Sequence, residues 1–321
     1  MILDLITYGA FFLVTALSYG IICLGLNVQW GQTGLFNVGV AGFVAIGAYT
    51  SALLTTPDAV ERFGGYGLPI WMGWISAAFV SGLAAAFIGA ITLRLRADYL
   101  AITTFGIAIT IHLVALNATA ITGGPFGIGF IPRPFGGLQE QPLLFNLANL
   151  SLVCGITGGV YYALERLIHG PWGRVLRAIR EDEGAATSLG KNANVFRLQA
   201  FVLGSAVMGF AGAIQAHFIG FIAPENYLSA ITFQVWAMLI IGGSGNNRGA
   251  LLGAIVVWAL WSATGAALGA IVPAEHQARA AALQIVLIGI GLAAILVIRP
   301  RGLLGEVTKV SRESSMAGQD N

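Results

Sequence analysis

The side chains able to do chemistry are few, and their spacing suits none of the usual reactions. The 321 residues contain four histidines, two cysteines, fourteen carboxylates and sixteen Lys or Arg. Covalent catalysis needs a nucleophile with a base in reach, and metal-assisted hydrolysis needs His, Cys or carboxylate ligands that converge. Ser76 and Ser205 sit in apolar text with no such partner, so an intramembrane hydrolase is not expected. Cys23 and Cys154 show neither metal-ligand spacing nor a disulfide framework and read as small apolar core residues. His112 and His217 are the only titratable groups inside the long uncharged stretches. A single histidine on an apolar helix reads as a hydrogen-bonded packing residue, which argues against a proton-driven carrier, since such carriers keep ionisable groups at depth. Nor is there a G-x-x-x-x-G-K-[ST] phosphate cradle: Gly243-Ser244-Gly245-Asn246-Asn247-Arg248-Gly249 lacks both the lysine and the spacing. Chemistry, ATP hydrolysis included, is expected to be absent from this chain, with no cofactor of its own.

What the apolar stretches do carry is neutral polarity. Asn27, Gln29, Gln32, Asn37, Thr103, Thr104, Thr110, Asn117, Gln199, Gln215 and Gln234 are spread along them. Such dipoles either join helices, at about 0.6 kcal/mol per bond in lipid, or line a wet path for a net-neutral solute that a fixed charge would trap. Three stretches look interrupted: Gly31-Gln32-Thr33-Gly34, Thr122-Gly123-Gly124-Pro125-Phe126-Gly127, and Gly242 to Asn247. Non-helical backbone at membrane depth survives only where protein buries it or water lines it. The candidate pathway-lining set is therefore Asn27, Gln32, Asn37, Thr103, Thr104, Thr122, Gly123, Gly124 and Gln234.

The elements that must position these residues follow from composition. Hydrophobic residues make up 57% and charged residues 9%, with 44 glycines and a mean hydropathy of +0.81. Soluble domains carry about 25% charge, so this chain has too little to wet a surface and must sit in a lipid bilayer. A net charge of +2 builds no basic field, which disfavours a nucleic-acid partner. A helix needs about 20 apolar residues to cross the hydrocarbon core. Residues 5 to 57 are free of charge and hold two spans, with a turn expected near Asn27 to Thr33. The uncharged runs 63–93, 99–132, 141–164, 198–224, 249–274 and 280–298 each hold one, and 226–247 holds a short helix followed by a loop. The expectation is an all-α polytopic membrane protein with about nine helices (eight to ten), some short or interrupted. No basic leader or cleavage pattern surrounds the first apolar stretch, so residues 5 to 26 read as a retained span.

Orientation follows from the basic residues. One side collects Arg94, Arg96, Arg166, Arg174, Arg177, Arg180, Lys191, Arg197, Arg248, Arg299, Arg301, Lys309 and Arg312, thirteen of the sixteen. Arg62, Arg133 and Arg279 fall on the other side with Asp4, Asp58, Glu61, Glu140, Glu225 and Glu275. Since Lys and Arg are retained in the cytoplasm, the C-terminus is expected inside and the N-terminus outside. The polar stretch 306–321 is expected to be a disordered tail. Glycine pairs four apart, Gly155/Gly159, Gly249/Gly253 and Gly265/Gly269, predict close helix approach. Val80 to Ala86 and Val207 to Ala213 are faintly alike on antiparallel spans, the relation expected of an inverted repeat.

One hydrophilic stretch, Glu165 to Arg197, exceeds the 2 to 8 residues that usually join helices of a bundle. Pro171-Trp172-Gly173 breaks the preceding helix. Val175, Leu176 and Ile179 then form an apolar stripe, while Arg174, Arg177 and Arg180 recur on another face, which makes an amphipathic helix. Asp182 is placed to cap a second helix through Leu189, which Gly190 ends with Lys191 close behind. Gly184, Ala185 and Ala186 leave one face flat, able to press into a groove of another protein, with Arg177, Arg180, Glu181, Asp182 and Glu183 as charged anchors. Setting orientation alone needs no acidic cluster and no capped helix.

Arg177-Ala178-Ile179-Arg180-Glu181-Asp182-Glu183-Gly184-Ala185-Ala186, followed by Leu189-Gly190, resembles the EAA-type coupling loop of bacterial ABC importers. More narrowly it is similar to the M-type permease subunit of the high-affinity branched-chain amino-acid importers. Leu93 to Ile102, Thr122 to Ile128, Ile241 to Gly245 and Arg299 to Leu304 match segments of that family in the same order, over nearly the whole chain. The chain departs from the family pattern at Gly184, where a larger apolar residue is common, and at Asn246-Asn247-Arg248-Gly249, which replaces an aromatic-Gly-Pro run.

The resemblance implies a permease domain over 1–305 with a cytoplasmic coupling loop at 166–197, in the bacterial inner membrane. It implies ATPase-coupling roles for Arg177, Arg180, Glu181, Asp182, Glu183, Ala185, Ala186 and Gly190. Its partners would be a second, H-type permease subunit, two cytosolic ATPase subunits that bind ATP and Mg, and a periplasmic solute-binding protein. The cargo would be a branched-chain or related neutral amino acid. Permeases for urea or short amides, and a passive channel for a small neutral solute, remain as alternatives.

Overall fold

The computed structural model describes residues 2–58, 63–298 and 302–305. Glu61, Arg62, Arg299, Arg301, Lys309, Arg312 and the stretch 306–321 lie outside the described residues, as does part of the Arg299 to Leu304 segment. Twelve α-helices follow in order among the described residues: α1 (Ile2–Thr33), α2 (Val40–Thr55), α3 (Ile70–Thr92), α4 (Ala97–Asn117), α5 (Thr119–Thr122), α6 (Pro142–His169), α7 (Pro171–Glu181), α8 (Glu183–Ser188), α9 (Ala193–Ile219), α10 (Ser229–Gly242), α11 (Asn247–Ile271) and α12 (Gln277–Ile298). Their strand-free architecture, among the described residues, agrees with the expected all-α polytopic class.

Six of them, α1, α3, α4, α6, α9 and α11, are long and apolar enough to cross a membrane. α2 is apolar but has only 16 residues. α10 has 14 residues and stops at the glycine turn, as the run 226–247 predicted.

Two boundaries differ from the sequence reading. The first turn is not at Asn27 to Thr33: α1 runs through them, and the chain leaves the helix at Gly34, whose φ of +71° is left-handed. Asn27, Gln29 and Gln32 do not break the helix because their amides bond to other parts of the chain. The run 99–132 is not one continuous span either. α4 ends at Asn117, and the chain continues through α5, a 3-10 turn at Gly124–Phe126 and an extended stretch. Ile128 in that stretch pairs antiparallel with Ile222 at 2.8 and 2.9 Å.

α9 is the hub. Asn192 caps it by accepting from Val195 N, and Gly220 ends it at φ +80°. It packs against α1, α2 and α3, while α1 also meets α6 and α11. Glycine makes these approaches possible, but not at all the positions that spacing suggested. A Cβ on Gly47 would stand 2.0 Å from the carbonyl oxygen of Gly209, and one on Gly212 would stand 2.2 Å from that of Val44. Gly249 and Gly253 do meet the backbone of α10, whereas Gly155, Gly159 and Gly269 have nothing within 4 Å and Gly265 meets only the Gln284 side chain. Spacing permits close contact; the neighbour decides whether it occurs. The two similar segments, 80–86 and 207–213, face each other: Ser81 Oγ donates to Ser205 O at 2.8 Å and Gly209 packs on Ser81.

Candidate functional site

α6 ends at His169, Gly170 is extended, and Pro171 opens α7, where its missing N–H costs nothing. Leu176 and Ile179, the core of the apolar stripe, are buried, and Val175 is half-buried. Asp182 then caps α8, its Oδ1 accepting from Ala185 N at 2.9 Å, and Gly190 turns the chain with φ +77°. The amphipathic helix followed by a short capped rod is thus the local structure that these residues were expected to form.

The structure separates the candidate coupling residues into two groups. Glu181, Gly184, Ala185, Ser188 and Leu189 are exposed, Leu189 at 80%. Ala186 is not on that face: it is 4% exposed and packs with Ile179, Ala193 and Phe196, because the α8 turn must bury one side against α7 and α9. Glu183 pairs with Arg197 at 3.0 Å. Arg177 and Arg180 turn toward α1. Arg177 Nη1 donates to Gln32 Oε1 at 3.1 Å and to Ile168 O at 3.2 Å, and Arg180 Nη1 donates to Gly31 O. Within this chain they are a latch between α7 and the last turn of α1.

That turn of α1 is also tied to the glycine turn after α10. Gln32 Nε2 donates to Gly245 O at 3.0 Å, Asn27 Oδ1 accepts from Gly245 N at 2.8 Å, and Asn27 Nδ2 donates to Asn247 Oδ1 at 2.8 Å. Asn247 Nδ2 in turn donates to Glu165 Oε2 at 2.7 Å, next to Arg248, whose Nε donates to Tyr161 OH at 3.2 Å. Gly31 has no room for a side chain, since a Cβ would lie 2.5 Å from Gly245 N. Leu303 and Leu304 donate their N–H groups to Ile241 O and Gly242 O, bringing the 302–305 segment to the same place. A continuous chain of bonds therefore runs from α7 through α1 to the turn between α10 and α11. Sequence reasoning missed Asn247, which meets Asn27, and Glu165, which meets Asn247, both across gaps that no local pattern spans.

The candidate pathway residues are mostly spent on the fold. Asn37 Nδ2 donates to Gln29 Oε1 at 2.8 Å, its Oδ1 accepts from Gly39 N at 2.7 Å, and its carbonyl accepts from Trp236 Nε1 at 2.9 Å. Thr104 Oγ1 accepts from Val38 N at 3.0 Å, and half-buried Thr103 bonds to Tyr99 O within its own helix. Thr122 Oγ1 reaches Ala115 O and Ala118 O and accepts from Gly124 N, so it folds the Gly123-Gly124 turn, both of whose glycines have positive φ. In this conformation the backbone N–H groups of Gly34, Gly123, Gly124, Gly127, Gly243 and Gly245 are all bonded to protein. Gln234 differs: its Nε2 is buried without a hydrogen-bond partner among the described residues, as are Tyr49 OH and Trp74 Nε1. Tyr49 and Trp74 carried no sequence signal, since an aromatic on an apolar helix looks like packing.

His217 sits between Pro132 O, 2.7 Å from Nδ1, and Ser51 Oγ, 2.8 Å from Nε2. Nδ1–H donates to the carbonyl and Nε2 accepts from the hydroxyl, which is the neutral ring in a packing role. No group of three or more metal-ligating side chains occurs among the described residues.

These features define a class: a polytopic, all-helical membrane protein with a structured hydrophilic insertion, α7–α8, latched to the bundle core. Sequence comparison then identifies the lineage. The chain belongs to the family of branched-chain amino acid transport system permease components, whose family model matches residues 9–296. It is 37% identical over 265 residues to the high-affinity branched-chain amino acid transport system permease protein LivM of Salmonella typhimurium, covering 74% of this chain and 59% of that protein. It is 28% identical over 269 residues to a probable LivM of Methanocaldococcus jannaschii, covering 74% and 75%. It is 23% identical over 302 residues to the LivH permease protein of Salmonella typhimurium, covering 91% and 94%. The chain spans about three-fifths of the length of the Salmonella LivM relative. No solved structure matches it.

Proposed function

We propose that this chain is the M-type permease subunit of an ATP-binding-cassette importer that moves a branched-chain or related neutral amino acid across a bacterial inner membrane. The observation that carries the reading is the α7–α8 insertion. It exposes a flat face at Gly184, Ala185 and Ser188 while Arg177 and Arg180 tie its rear to α1. A lever must be rigid, offer one surface to its motor and be fastened to what it moves, and these bonds supply the fastening. Family membership supports the same role, and the likeness to LivH supports a second permease as partner.

In this reading α2, α10 and α12 complete nine crossings with the six long helices, the N-terminus is outside and the C-terminus cytoplasmic. Two cytosolic ATPases bind ATP and Mg and dock on the coupling insertions of the two permeases, and a periplasmic binding protein delivers the solute. ATP-driven closure of the motors displaces α8, α7 transmits the displacement to α1, and the network at Gly31, Gln32 and Gly245 carries it to the α10–α11 turn. The bundle then opens to the other face. Gln234, whose Nε2 has no hydrogen-bond partner among the described residues, is the candidate pathway residue with a polar group to offer the solute.

The test is reconstitution with all partners. Ala185→Arg should abolish ATP-dependent leucine uptake while the chain inserts and melts normally. Normal uptake and normal stimulation of ATP hydrolysis would reject the coupling assignment. Downhill, nucleotide-independent flux through the chain alone would favour a passive channel, and uptake of urea or short amides in place of leucine would move the cargo.

A further inference from the structure

Two adjoining cavities open where the C-terminal end of α3 meets the N-terminal end of α9. One, of about 250 Å³, has an apolar wall made by Gly89 and Ala90 of α3 with Val195 and Leu198 of α9. The other, of about 440 Å³, is ringed by Arg94, Arg96 and Arg197. They share Leu93, Arg94 and Asn194, so apolar wall and basic rim form one cleft. Among the described residues Glu183 is the one acidic side chain lining it, and it is already paired with Arg197 Nη2 at 3.0 Å. Arg94 and Arg96 are exposed and bond to no side chain or backbone group among the described residues. Among the described residues Arg197 meets Glu183 through Nη2 and its Nε has no hydrogen-bond partner, so that guanidinium too has donors left over.

Charge in this cleft is therefore unbalanced toward positive, and three guanidinium forks match the oxygens of a phosphate better than any neutral ligand. The apolar wall says what the phosphate is attached to. It continues along α3 into Phe87 and Ile91, which are 73% and 61% exposed on a helix apolar enough to span a membrane and hence face acyl chains. Basic pockets between helices at the cytoplasmic end of a bundle suit anionic lipid headgroups, and the leaflet itself concentrates them. We propose that this cleft binds one anionic phospholipid, headgroup on Arg94, Arg96 and Arg197 and an acyl chain along Ala90 and Leu198. Through the Arg197–Glu183 pair the bound lipid sets the position of α8. The inference rests on the proposed orientation, which puts this end of the bundle at the cytoplasmic leaflet.

The experiment uses the intact importer in nanodiscs with spin-labelled phosphatidylglycerol or phosphatidylcholine. Wild type should select phosphatidylglycerol. Arg94→Gln/Arg96→Gln should lose that preference by roughly 30-fold, since each arginine near a charged leaflet contributes about one kcal/mol and 1.4 kcal/mol is tenfold. Arg94→Lys/Arg96→Lys should largely restore it, which separates lost charge from misfolding. An unchanged preference in the Gln pair overturns the proposal. So does displacement of the lipid by millimolar inorganic phosphate, which would mark a free-anion site. Loss of the ATPases from the purified Gln variant with lipid retention intact would give the cleft to the motor instead. Orientation is checked separately: Arg174→Cys, exposed on α7 and away from the flat docking face, should react with an impermeant maleimide only in inside-out vesicles, and reaction from the outer face would overturn the orientation without touching the lipid measurement.

Discussion

Gln32→Met tests whether the latch is the transmission. Gln32 is 1% exposed and bridges two elements, accepting from Arg177 at 3.1 Å and donating to Gly245 O at 3.0 Å. Methionine keeps the length of the side chain but offers neither bond. A bond to a charged donor is worth about 1.5–3 kcal/mol and a neutral one about 0.5–1.5 kcal/mol. Arg177 keeps its bond to Ile168 O, so part of the first term survives. The expected loss is about 1.5–3 kcal/mol of stability, equal to roughly ten- to hundredfold in the unfolding equilibrium. Stability would be read by denaturant titration of the purified chain in detergent, and coupling as leucine taken up per ATP hydrolysed in the reconstituted importer. Uptake per ATP should fall while ATP hydrolysis persists. A double-mutant cycle with Arg177→Met isolates the pair: non-contacting residues add within about 0.3–0.5 kcal/mol, and this pair should exceed that by about 1 kcal/mol. Strict additivity together with unchanged uptake per ATP would refute the reasoning.

Glycine positions should divide by what they touch rather than by spacing. Gly47→Ala drives a Cβ into the Gly209 backbone and should cost about 1–3 kcal/mol or prevent accumulation of folded chain, whereas Gly155→Ala, with open space around it, should shift the melting of the isolated chain by no more than about 0.5 kcal/mol. Equal melting of the two variants would contradict the α2–α9 contact. His217→Ala should leave Pro132 O and Ser51 Oγ without their partner and cost about 2–4 kcal/mol, seen as faster proteolysis after Arg133. Uptake at fixed ATP should be indifferent to a protonophore; a dependence on the proton gradient would reverse the packing role given to His217.

The sequence by itself determined the membrane class, because charge and hydropathy are sums that no arrangement can change. It also determined the α7–α8 insertion: the Pro171 break, the stripe of Leu176 and Ile179, the Asp182 cap and the Gly190 turn are local, each decided within a few residues. Where the deciding partner is distant, local text had nothing to offer. Asn27, Gln29 and Gln32 looked like a turn, yet α1 runs through them because Asn247, Phe201 O and Gly245 O accept their amides. Ala186 and Ala185 are equivalent in composition, and only the seat formed by Ile179, Ala193 and Phe196 buries the one and leaves the other exposed. Arg177 and Arg180 carried a charge that any surface could use, and the tertiary structure alone turned them onto α1. A hydrogen bond or a close contact needs two groups at one point in space, and which distant groups share a point is fixed by packing, not by either group's neighbours in the chain.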